Sequence, residues 1–95
     1  MVVVIFKARI RALDADYAAT AQAMRQLAIE QFNCIAFEAV TEGDSEIALS
    51  YWHSEDDIRA WKQHPAHLAA QRQGRERWYA SYSVEVARIE RHYAT

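Results

Sequence analysis

Val2 to Ile10 opens β-branched and apolar and then alternates, with Phe6, Ala8 and Ile10 set against Lys7, Arg9 and Arg11. A two-residue period predicts a strand with one buried face. After Asp14 the period lengthens: Tyr17, Ala21, Met24, Leu27 and Ala28 recur at helical spacing, with Asp14 or Asp16 available as the cap. This helix runs to about Gln31 and is broken at Asn33. Cys34 to Thr41, carrying Ile35, Phe37 and Val40, reads as a second strand. The turn cluster Glu42-Gly43-Asp44-Ser45 then leads into a returning strand, Glu46 to Trp52, and the pair forms a β-hairpin.

Ser54 with Asp57 three residues on approximates a capping box, and Ile58 and Trp61 fall on one face of the short helix it starts. His64-Pro65 ends that helix. The residue before a proline is pushed out of the helical region, while Pro65 suits a first helical turn, so a corner is expected at His64. A third helix is predicted over Ala66 to about Trp78, with Gly74 as its weak point. From Tyr82 the residues Val84, Val86 and Arg88 alternate with Ser83, Glu85, Ala87 and Ile89 as a last strand. The order β-α-β-β-α-α-β fits an α+β, ferredoxin-like fold: a four-stranded antiparallel sheet with helices on one face. The first and last strands are apolar on both sides, so the uncovered sheet face calls for a second copy of the chain, in a homodimer with isologous contacts.

Composition narrows the class. A chain of 95 residues supports one domain, residues 1–95, with one core; it is 52% hydrophobic and 25% charged, with two Gly and one Pro, so it is expected to be ordered nearly throughout. No apolar run approaches the ~20 residues of a membrane helix, and no signal peptide is visible. The net charge of -2, with Arg interleaved among acids, offers no face for a phosphate backbone, which argues against nucleic acid as a partner. Cys34 stands alone and cannot form an internal disulfide, so a cytoplasmic location is expected.

Chemistry concentrates between Tyr51 and Tyr82. The run from Tyr51 to His67 holds two of the three tryptophans and three of the four histidines. His67, Gln71 and Arg75 are spaced four apart and share one predicted helix face, a polar file able to line a pocket between helix and sheet. Trp61, Trp78 and Tyr79 read equally as core aromatics beneath the helices. His64-x-x-His67 has the spacing of a metal pair but no further ligands, so no metal site is expected. Glu55, Asp56 and Asp57 sit in a first helical turn, where the dipole favours anions and no catalytic role is needed. There is no nucleophile elbow, phosphate loop or dinucleotide fingerprint.

The string Trp52-His53-Ser54-Glu55-Asp56-Asp57-Ile58-Arg59-Ala60-Trp61-Lys62-Gln63-His64-Pro65-Ala66-His67, followed by Ala70-Gln71, Gly74-Arg75 and Trp78-Tyr79, resembles the antibiotic biosynthesis monooxygenase family. The resemblance implies a homodimeric ferredoxin-like α+β barrel that oxidises a small aromatic polyketide or quinol with dioxygen as co-substrate and no metal or organic cofactor. Haem-degrading members carry an asparagine on the first strand, a tryptophan on the middle helix and a histidine ligand on the next. Trp61 matches the tryptophan, but the other positions fall near Ala8 and on Gln71, which disfavours haem. For the cofactor-free chemistry, Trp61, Trp78 and Tyr51 would form apolar walls with Tyr79 beside them. His64 or His67 would take a proton, and Gln71 and Arg75 would steady a phenolate. A non-catalytic small-molecule-binding or stress-associated protein using the same pocket is the alternative.

Overall fold

The computed structural model describes residues 1–95. Along the chain run β1 (Val2–Ile10), α1 (Ala15–Gln31), β2 (Ala36–Glu42), β3 (Ser45–Trp52), α2 (Glu55–Gln63), α3 (Pro65–Gln73) and β4 (Tyr79–Arg88), with a π-helical turn over Gly74–Trp78 between α3 and β4. The strands form one antiparallel sheet in the order β2-β3-β1-β4. This is the ferredoxin-like α+β arrangement that the element order predicted.

Local chemistry explains most boundaries. Asp14, rather than Asp16, caps α1 by accepting from the Tyr17 N–H at 3.1 Å. The helix ends at Phe32, and Asn33 follows at φ +62, a left-handed conformation that Asn tolerates better than most residues. The hairpin loop shortens to Gly43-Asp44, with Gly43 at φ +61, so pairing extends to Glu42 and Ser45. Ser54 caps α2 by accepting from Asp57 N–H at 3.3 Å. His64 makes the expected corner in extended geometry (φ -61, ψ 137), and its own ring Nδ1 caps α3 by accepting from Ala66 N–H at 3.0 Å.

The end of the third helix departs from the simple periodicity. After Gln73 the backbone widens, and the Tyr79 N–H donates to the Gly74 carbonyl, five residues back. The last strand therefore starts at Tyr79, three residues earlier than the alternation beginning at Tyr82 indicated.

The register aligns three rows across the helix-facing side of the sheet. Phe37, Ser50, Val4 and Val86 form one; Ala39, Ala48, Phe6 and Val84 the next; Thr41, Glu46, Ala8 and Tyr82 the third. Beyond the first row lie Val2 and Trp52, and there the core is tight: Val2, Val4, Ala28, Cys34, Trp52, Ile58 and Trp61 form one buried cluster, flanked by Met24, Leu27, Phe32 and Phe37. The Trp52 indole has no exposed surface, and its Nε1–H donates to Ser50 Oγ at 2.8 Å. The opposite sheet face carries half-buried Val3, Ile5, Leu49 and Tyr51 beside exposed Ile47 and Val40.

Truncating Trp52 to Ala would open a void that neighbouring strands cannot collapse into. The expected loss is about 3–5 kcal/mol, read as a lowered urea midpoint with an unchanged slope; a loss below 1 kcal/mol would show that this end of the core is not what holds the helices down.

Candidate functional site

Towards the other end of the sheet the helix–sheet layer is not filled. Ala39, Ala48 and Ser50 on the floor and Ala18, Ala21 and Ala70 above them are short side chains, and they leave open a cavity of about 380 Å³. That volume lies within the ~300–1,000 Å³ typical of small-molecule sites. Aromatic rings on its walls come from Phe6, Phe37, Trp61, Trp78, Tyr79 and Tyr82.

Five of the eight residues expected at the site line this cavity: Trp61, His67, Gln71, Trp78 and Tyr79. Trp61 and Trp78 are at once core and wall, being 6% and 3% exposed. The other three stand elsewhere. Tyr51 lies on the far face of the sheet, because it is out of phase with Ser50 and Trp52, whose side chains face the helices. His64 is committed to the α2–α3 corner, where its ring caps Ala66 and packs edge-on against Phe32 at 5.9 Å. Arg75 is exposed on the π-turn, whose wider winding takes it out of the four-residue file with His67 and Gln71. Only its carbonyl is engaged, accepting from Arg11 Nη2 at 3.1 Å.

His67 and Gln71 act as a unit. The Gln71 amide nitrogen lies 2.9 Å from His67 Nδ1 and 3.4 Å from the Lys62 carbonyl. An amide nitrogen facing a carbonyl must donate to it, which fixes the amide orientation, so Nδ1 of His67 accepts and Nε2 carries the ring proton. The ring also stacks edge-on against Trp61, with centroids 4.3 Å apart. Burial, reinforced by the nearby Lys62 charge, brings the His67 pKa down from 6.5 to about 4. At neutral pH this histidine is uncharged, with its Nε2–H available as a hydrogen-bond donor.

Facing this pair across the cavity is a cluster that sequence reasoning missed. Glu46 is 8% exposed and lines the cavity floor. Tyr17 donates a short hydrogen bond to one carboxylate oxygen, and the Tyr79 hydroxyl lies 3.4 Å from the other and 3.3 Å from the Tyr17 oxygen. Burial and the neighbouring carboxylate push the Tyr17 pKa far above its ordinary value; burial is also the main cause that brings Tyr79 up to about 12. Both hydroxyls therefore stay protonated and serve as donors. The ion pairs of the chain are made by Arg9, Arg59 and Arg77 with Asp side chains, and none includes Glu46. Trp78 is held beside the cluster by its Nε1–H, which donates to Asp14 Oδ1 at 3.1 Å, while its ring meets Tyr17 edge-on at 5.2 Å.

The family model described as antibiotic biosynthesis monooxygenase matches residues 1–73. The chain belongs to the antibiotic biosynthesis monooxygenase family. A curated relative is the uncharacterized protein YqjZ of Bacillus subtilis (strain 168), 43% identical over 79 residues that cover 82% of this chain and 69% of that one. Among solved structures, SnoaB from Streptomyces nogalater, a cofactor-independent oxygenase, superposes with a TM-score of 0.81 at 13% identity, covering 96% of this chain and 94% of its own. Rv0793 from Mycobacterium tuberculosis gives 0.70 at 16% identity over 98% of both chains. At such identities the structural likeness carries the fold alone.

In this member of the family the cavity is bounded by α1, α2, α3 and the sheet; its polar groups include His67 and Gln71 from α3, Glu46 and its tyrosines from the sheet and α1, and Arg25 and Lys62 from α1 and α2. No three His, Cys, Asp or Glu side chains are arranged to hold a metal ion, and no helix is long and apolar enough to cross a membrane. The signal for Glu46 was present in the alternation of β3: Glu46, Ala48, Ser50 and Trp52 share a face, and a carboxylate in phase with a buried tryptophan is an anomaly worth following.

His67 also sets a pH dependence of stability. Its proton affinity is lower in the folded chain (about 4) than at the ordinary value of 6.5, so the unfolded state binds the extra proton. Stability contributed by neutral His67 is complete above pH 6.5, declines as the pH falls towards 4, and levels off below. His67→Gln should flatten that part of the stability-pH curve measured by urea unfolding; an unchanged slope would show that His67 titrates normally.

Proposed function

We propose that the protein is a small cofactor-independent monooxygenase that oxidises an aromatic, polyketide or quinol compound with dioxygen. The observation that carries this reading is the cavity walled by aromatic side chains with a neutral histidine–glutamine donor pair on one wall. Family membership and the fold it shares with a cofactor-independent oxygenase support it.

The chemistry asks little of the protein beyond a shaped, water-poor pocket. An electron-rich phenol or quinol gives up electrons to dioxygen once its negative charge is stabilised. For conversion of a ring methylene to a carbonyl, the substrate supplies every electron: one oxygen atom enters the product and the other leaves as water with the two methylene hydrogens. Trp61, Trp78, Phe6 and Phe37 hold the ring system by burial and edge contacts. The Nε2–H of His67, kept in that tautomer by Gln71, steadies the developing oxyanion. The histidine's role shifts from base to donor.

Oxygen uptake with a panel of fused-ring hydroquinols tests this directly. The wild-type protein is expected to consume oxygen with formation of a keto product, and Gln71→Ala, which frees the His67 tautomer, should slow turnover about ten- to a hundredfold. Absence of uptake across the panel, with binding retained, would favour the second reading, a non-catalytic binder, which the weak basicity of His67 also supports.

The protein is further proposed to act as a homodimer through the sheet face opposite the helices. Its support is the apolar file Val3, Ile5, Leu49 and Tyr51, bordered by Ile47 at 39% and Val40 at 68% exposure. Light scattering should give twice the 11.0 kDa chain mass, and the double substitution Ile47→Lys with Leu49→Lys should give the monomer. A monomeric wild-type protein at micromolar concentration would sink the idea.

A further inference from the structure

Glu46 is a buried carboxylate on the floor of an aromatic cavity, engaged by two tyrosines and by no cation. A carboxylate offers about four acceptor positions. The Tyr17 and Tyr79 hydroxyls use one on each oxygen, which leaves acceptor capacity directed at whatever enters beside them. Burying a carboxyl group is costly to the fold unless it is fully hydrogen-bonded or paired, and tyrosine hydroxyls only partly offset that cost. Packing does not require it, since apolar Trp52 occupies the same face of the same strand three alternations on.

The other end of the same cavity has the opposite sign. Arg25 and Lys62 both line it. The Arg25 guanidinium lies 5.3 Å from the centroid of Phe37, which pairs with Ser50 on the neighbouring strand. The Lys62 charge is close enough to depress His67. Along β3, Ser50 is four residues from Glu46, a separation of about 13 Å at strand rise. That length of cavity floor is on the scale of a flat fused-ring compound with polar groups at its two ends.

We infer that Glu46 is a specificity-determining residue that accepts a hydrogen bond from a phenolic hydroxyl of the substrate, and that Arg25 and Lys62 receive an acidic group at the far end of the same molecule. The ligand class is a hydroxylated fused-ring aromatic acid, bound in one direction along the cavity. Tyr17 and Tyr79 are positioning residues: their hydroxyls hold the carboxylate in place on the cavity floor. This deepens the oxygenase reading and rests on it for the word substrate, while the recognition geometry stands on the cavity alone.

Calorimetric titration with three probes tests it: a naphthoate carrying a hydroxyl at the far end of the ring system, its methyl ether, and the parent naphthol without the acid. The hydroxynaphthoate should bind at least tenfold more tightly than either of the others. Glu46→Gln should bring the hydroxyl and methyl ether within about twofold of each other while leaving the naphthol-to-hydroxynaphthoate ratio in place; Arg25→Ala should narrow that second ratio and spare the first. If the wild-type protein binds the methyl ether as well as the hydroxyl compound, or binds neither, the assignment of Glu46 is overturned without recourse to any variant, so a Glu46→Gln protein that failed to fold would not shield it. Oxygen uptake in the same samples is a separate readout: tight, selective binding with no consumption of any hydroquinol overturns the oxygenase reading and leaves this one standing.

Discussion

The Trp61 indole sits where the packed part of the helix–sheet layer meets the hollow part. Its ring lies 5.2 Å from Trp52 on the core side and 4.3 Å from His67 on the cavity side, with Phe37 at 6.2 Å, and its Nε1–H donates to the Met24 carbonyl of α1 at 3.2 Å. One large side chain thus sets the spacing between α1, α2 and the sheet and faces the empty volume with the ring that remains. The cavity depends on it in both senses. A smaller residue would let the helices settle towards the alanine-rich floor, and the wall against which His67 is oriented would be gone.

On this frame the two polar groups of the cavity differ in what holds them. His67 is neutral by burial and kept in one tautomer by Gln71, so its cost to the fold at neutral pH is small. Glu46 is a buried carboxylate engaged only by hydroxyl donors, and local stability alone does not account for it. Strains of this kind collect where a protein must present a group to a ligand rather than satisfy it internally. The cavity is accordingly an aromatic slot with a donor on one wall, an acceptor on its floor and cations near the opposite end.

The π-turn of Gly74–Trp78 serves the same site. It brings Trp78 beside the N-terminus of α1, where Asp14 both caps the helix and accepts the indole N–H, and it lets Tyr79 start the last strand with its hydroxyl near Glu46. Gly74 is required for close approach: a Cβ there would stand 2.8 Å and 2.9 Å from two Tyr79 ring atoms. What reads along the chain as a weak helical position is the point at which the Tyr79 ring is admitted.

Local signals along the chain were enough for the element order, the caps at Asp14 and Ser54, the break at Asn33, the corner at His64-Pro65, and hence the ferredoxin-like sheet. Each of these rests on a period, a dihedral preference or a missing donor that acts within a few residues. The same local reasoning placed Trp61, His67, Gln71, Trp78 and Tyr79 at a pocket, because residues on adjacent helix turns stay together whatever the tertiary fold. It misplaced Tyr51 by one residue of strand phase and Arg75 by one residue of helical winding. His64 stands outside the cavity, at the corner where its ring caps α3. Tyr17 and Arg25 of α1 meet Glu46 of β3 at one cavity only because α1 crosses the sheet. That meeting is a property of the crossing, so only the tertiary structure, through burial and the distances it imposes, could decide it.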